Sequence, residues 1–83
     1  MNYTIATLTE HNMGCGVLEL NIDKSGNKYL VGLFNTETKE FTHKMFDSID
    51  EAFAVFGQLS EWIVKSYYTE QQKRNYLVSG KVD

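Results

Sequence analysis

The spacing of apolar residues changes once along the chain, at Asp47, and that change restricts the fold to a sheet followed by helix. Before it, apolar and polar residues alternate every second position. After it, they recur at three and four. A period of two belongs to a strand with one buried face, and a period near 3.6 belongs to an amphipathic helix.

Three strand-like runs and a fourth can be read before the change. Tyr3 to Thr9 alternates, with Tyr3, Ile5 and Thr7 on one side and Thr4, Ala6 and Leu8 on the other. His11-Asn12-Met13-Gly14 reads as a turn. Val17 to Ile22 places Leu18, Leu20 and Ile22 on a buried face and Glu19, Asn21 and Asp23 on a wet one. Asp23-Lys24-Ser25-Gly26-Asn27 should close a hairpin. Tyr29 to Phe34 is apolar on both faces, as in a central strand, and Gly32 within it marks a bulge or a close backbone approach. After the loop Asn35 to Lys39, Phe41 to Phe46 forms the last strand.

Ser48 and Glu51 have capping-box spacing, and the acids at 47, 50 and 51 suit the positive end of a helix dipole. The helix that starts there is expected to run to about Tyr68. Thr69-Glu70-Gln71-Gln72 repeats the capping signal. A second short helix should follow from Glu70 to about Val78, with Gly80 as its stop. One continuous helix is the alternative. The predicted fold is therefore α+β: an antiparallel sheet of three to four strands packed on a C-terminal amphipathic helix, with a second short helix, all in one domain over 1–83.

Placed at about 100° per residue, the apolar side of the first helix runs from Trp62 and Val55 through Leu59, Ala52, Ile63 and Phe56 to Phe53 and Val64. It spans about 200°, twice the stripe that a single sheet covers. One flank needs a second cover. Either the C-terminal segment with Tyr76, Leu77 and Val78 folds back over it, or another chain does. Phe53, Val55, Trp62, Val64 and Tyr67 are thus the candidate interaction residues, rich in the aromatic types that anchor interfaces. Eleven aromatics in 83 residues exceed what so small a core requires.

The rest of the composition mainly excludes. The net charge is −3. Four lysines face five acids up to Phe46, and four basic residues face six acids after it. Neither half has the basic surplus of a phosphate-binding domain. The single cysteine, Cys15, allows no internal disulfide, and the N-terminus lacks the basic and apolar regions of a signal peptide. A cytoplasmic protein with no membrane span is expected.

No motif names a chemistry. His11, Cys15 and His43 are the candidate metal ligands, but their spacing matches no established ligand pattern. Gly14-Cys15-Gly16 is neither a phosphate loop nor a recognisable nucleophile context. The expectation is no enzyme, no metal and no cofactor. The leading reading is a small interaction or regulatory protein that binds another protein or itself as a homodimer. A modulator or inhibitor of the kind that phages and mobile elements encode would have this size and composition. The rival reading is a sheet-based nucleic-acid binder, disfavoured by charge, in which Tyr29, Phe34, Phe41 and Phe46 stack on bases beside Lys28, Lys39 and Lys44.

Overall fold

A computed structural model describes residues 2–12 and 16–83 of the chain. Four strands come first, β1 (Asn2–Asn12), β2 (Gly16–Ser25), β3 (Lys28–Asn35) and β4 (Phe41–Phe46), followed by helices α1 (Ile49–Val64) and α2 (Glu70–Ser79). The strands form one antiparallel sheet in the order β1-β2-β3-β4. Both helices lie on the face that carries Leu18, Leu20 and Ile22. The fold is the α+β arrangement that the switch in period predicts. Met13, Gly14 and Cys15 lie outside the described residues. The predicted turn is therefore only partly visible, and its first residues, His11 and Asn12, belong to β1.

Each connection follows from its sequence. Ser25 pairs with Lys28, leaving Gly26 and Asn27 as a two-residue turn. Gly26 has φ +60°, the first central position at which a type II′ hairpin needs glycine. Between β3 and β4, the Asn35 side-chain oxygen accepts from the Glu37 and Thr38 amides, both at 2.9 Å. That Asx turn reverses the chain, and Asn35 N–H closes the loop on the Glu40 carbonyl at 3.0 Å. Ser48 Oγ accepts from Glu51 N–H at 3.1 Å and starts α1.

The first helix ends earlier than its apolar pattern predicts. Ser66 (φ +59°) and Tyr68 (φ +64°) both adopt left-handed backbone, which excludes a continuous helix. Tyr67 N–H closes this turn on the Trp62 carbonyl at 2.8 Å. Thr69 and Gln72 then form a complete capping box for α2, and Gly80 (φ +82°) ends it.

The buried core joins Leu18, Leu20 and Ile22 of β2 to Val31 and Leu33 of β3, Phe46 of β4, Ala52, Leu59 and Ile63 of α1, and Leu77 of α2. Burying each of the larger side chains contributes roughly 1.5–3 kcal/mol. β1 departs from strict alternation. Its register slips between Thr4 and Ala6, a bulge that turns both Ile5 and Ala6 towards the core side along with Leu8.

A buried arginine ties α2 to the sheet. Arg74 is 2% exposed, and all five of its N–H groups have acceptors. Nη1 donates to the Leu33 carbonyl at 3.1 Å and to Thr42 Oγ1 at 2.8 Å. Nη2 donates to the Glu40 carbonyl at 3.3 Å and to Glu70 Oε2 at 2.6 Å, and Nε donates to the same carboxylate oxygen at 3.1 Å. The other oxygen of Glu70 accepts from Asn35 Nδ2 at 3.1 Å. The loop that Asn35 organises, the β3–β4 ladder and α2 are thereby linked through one polar cluster.

Candidate functional site

The five candidate interaction residues separate onto different parts of the surface. α1 is centred on Ala52, Leu59 and Ile63, which face the sheet. Val55 and Trp62 lie on the flank towards α2 and pack against the core. The Trp62 ring makes edge-on contacts with Tyr76 of α2 and with Tyr68 of the turn, each at 4.7 Å between centroids. This flank is closed within the chain, by the C-terminal segment that the sequence offers as one of two covers. Tyr76 supplies the contact with Trp62, Leu77 is buried in the core, and Val78 is exposed.

The opposite flank has no such cover among the described residues. Phe53 is 39% exposed and Val64 is 73% exposed, with exposed Ile49 in the same row and half-buried Phe56 beside them. The Phe53 and Phe56 rings meet edge-on at 6.0 Å. On a helical wheel Phe53 stands about 100° from the core-facing direction, so it projects sideways rather than down onto the sheet. Because α2 packs on β4 and β3 while α1 also reaches β1, this flank looks over β1. There Ile5, Ala6 and Leu8 are only half-buried, and Tyr3 is exposed. Tyr67 is exposed in the turn between the helices.

The outer face of the sheet is open to solvent, as expected, but only half of it is polar. Its β1–β2 half is polar, with Thr4, Thr7 and Thr9 beside Glu19, Asn21 and Asp23, and Thr7 Oγ1 donates to Asn21 Oδ1 at 2.8 Å. Its β3–β4 half carries Leu30, Phe34, Phe41, His43 and Met45. The Phe41 ring stacks on His43 at 5.0 Å and meets Phe34 edge-on at 6.2 Å. The ring also lies across Gly32, where an added Cβ would stand 2.7 Å from Phe41 Cε1. The glycine marks a close approach of a side chain, and the alternation in β4 already contained the signal for the aromatic stripe.

The residues invoked for nucleic-acid binding divide between the two faces. Phe34 and Phe41 are on the outer face, while Tyr29 and Phe46 are on the helix side. Lys44 Nζ lies 5.5 Å from the Phe46 ring centroid, and Lys24 Nζ lies 4.5 Å from the Tyr29 ring centroid. Lys28 is held by Asp47 at 2.7 Å, which keeps the Asp47 carboxyl below the usual carboxylate range. Lys39 sits in the β3–β4 loop.

Of the candidate metal ligands, His43 is in the aromatic stripe, and Cys15 is outside the described residues. No group of three His, Cys, Asp or Glu side chains converges among the described residues. A cavity of about 210 Å³ opens at the end of the sheet, lined by Tyr3, Thr4, Asp23, Lys24, Ser25 and Leu30. Asp23 Oδ1 is buried without a hydrogen-bond partner among the described residues. No described helix is long and apolar enough to cross a membrane.

The class defined by this geometry is a four-stranded antiparallel sheet packed against two helices. Comparison with protein-family models, with curated proteins and with solved structures gives no match.

Proposed function

We propose that this chain is a non-enzymatic interaction protein, acting in the cytoplasm, that docks another protein or a second copy of itself on the free flank of α1. The observation that supports this reading is the asymmetry of that helix. Trp62 packs on Tyr76 of α2 and Val55 packs against the core, whereas Phe53 and Val64 stay exposed above the half-buried residues of β1. Apolar anchors at the centre of a patch with a polar rim are the usual composition of an interface. Asp50 and Glu61, on the polar side of α1, would supply part of that rim. The activity would be modulation or inhibition by occluding the partner's surface, the form of action expected of a small phage- or mobile-element-type regulator.

A nucleic-acid role draws less support, because its aromatics do not share a face and its Lys28 is paired. The test is site-specific photocrosslinking. A photoreactive residue at Phe53 or Val64 should give protein adducts in native-host extract or in the purified protein, and one at Glu37, in the exposed β3–β4 loop, should not. Equal labelling at all three positions, or none at Phe53 and Val64, would remove the α1 flank as the docking surface. Retardation of DNA or RNA at low salt would favour the rival reading instead.

A further inference from the structure

We infer that the occupant of the β1 side is a second copy of this chain, joined through antiparallel pairing of the two β1 strands. This inference rests on the interaction reading above and specifies its partner. β1 and β4 are the two edges of the sheet among the described residues. They are guarded very differently. β4 has only six residues, includes Lys44, and has α2 and Arg74 against it. β1 has eleven residues and contains no lysine, arginine or proline. Short length, lysine and a covering helix are the usual protections against edge-to-edge pairing; β1 has neither of the first two, and α1 touches it only from the core face. Its protective devices are the bulge at Thr4–Ala6 and the one charge of Glu10 near its end.

The strand is also compatible with itself. From Asn2 to Thr9 it carries no charge, and Glu10 is its only acid. In any register that pairs residues 2–9 with their copies, Glu10 falls opposite an uncharged position. No like charges meet across the dyad, whose isologous form closes at two copies. The partner's β1 would satisfy the edge N–H and C=O groups and extend the four strands to a continuous sheet of eight.

The same pairing accounts for the α1 flank. α1 lies over β2 and β3. Two such helices on a joined sheet stand about four strand spacings apart, roughly 19 Å. Since a helix with its side chains is about 10–12 Å across, a trough about 7–9 Å wide remains between them. Phe53 points sideways into that trough, and Phe53 and Phe56 of each copy would fill it over a floor of Ile5, Ala6 and Leu8. An eleven-residue strand is about 36 Å long, close to the longest extent of the molecule, 37 Å. With a combined sheet and helix depth of about 15 Å, the contact buries on the order of 1,000 Å² in total, near the lower bound for a specific interface. Association in the micromolar range is therefore expected.

Sedimentation equilibrium of the full chain, from low micromolar to submillimolar concentration, tests this. The expected result is a concentration-dependent rise from 9.6 kDa towards twice that mass. Hydrogen exchange should slow at β1 amides as the dimer fills. Thr4→Lys with Thr7→Lys, both on the polar outer face of β1, should weaken association about tenfold or more, because pairing of residues 2–9 with their copies sets position 4 opposite position 7 and so brings like charges together. Phe53→Glu should weaken it without touching β1, with circular dichroism reporting the retained fold. A protein that stays monomeric throughout overturns the inference, as does a dimer whose affinity neither substitution changes. If the protein is monomeric yet photocrosslinks to a host protein at Val64, self-pairing fails and the broader interaction reading stands. If both fail, neither stands.

Discussion

Replacing Arg74 by alanine should be among the most damaging single changes to this fold, and the structure gives its approximate size. The guanidinium makes five hydrogen bonds, three of them to the carbonyls and hydroxyl of Leu33, Glu40 and Thr42, and two to Glu70. Removing one partner of a buried charge pair costs about 3–5 kcal/mol. The Glu70 side chain is 28% exposed and can rehydrate once abandoned, which places the cost at the lower end, about 3 kcal/mol. Against a total of roughly 4–12 kcal/mol for 83 residues, that is a large fraction. With a urea slope of about 1 kcal/mol per molar, the unfolding midpoint should fall by about 3 M. Trp62 is the only tryptophan and touches Tyr76 of α2, so its emission reports this joint directly. Arg74→Lys, whose ammonium has three donors in place of five, should fall between alanine and wild type. A midpoint shift below about 0.5 M for Arg74→Ala would refute the view that this cluster holds α2 to the sheet.

Three further outcomes are expected. Leu59→Ala, at a fully buried position, should lower stability by about 2–5 kcal/mol in the same urea assay, whereas Val64→Lys should change it by less than about 0.5 kcal/mol. Gly32→Ala should displace the Phe41 ring at a cost near 1 kcal/mol and break its stack on His43, seen as a downfield move of the His43 ring protons. The Asp47 carboxyl is lowered by the hydrogen bond and charge of Lys28. Its contribution is therefore present above the unfolded-state value and is lost as pH falls through the lower folded-state value. Asp47→Asn should remove that portion of the acid sensitivity, and added salt should reduce it, as measured by urea midpoints across an acidic pH series.

The strands, the helix start at Ser48 and the capping box at Thr69 were legible because each depends on residues close in sequence. The break at Ser66 was not. Its left-handed backbone has no glycine or asparagine to announce it, and it is held by Trp62 packing on Tyr68 and Tyr76. The bulge in β1 was equally hidden, since Tyr3 to Thr9 alternates without fault when read alone. At the site, the wheel of α1 identified both apolar flanks but could not tell which of them α2 would shelter. In the sequence, Arg74 shows only Glu70, four residues before it at helical spacing. Its other acceptors lie 32 to 41 positions away, on β3, β4 and their connecting loop.

The side-chain hydrogen bonds that span the most sequence involve α2. The hairpins of the meander join neighbours and can form as soon as they exist, but Leu77 and Arg74 come only after everything they hold. The sheet and α1 share one core, but α2 is what places Arg74 on β3 and β4. Without that clasp, the Trp62 ring would lose its neighbour Tyr76 and the acceptors of β3 and β4 that Arg74 occupies would return to water, so the second helix acts as a latch on a structure that the earlier elements only outline.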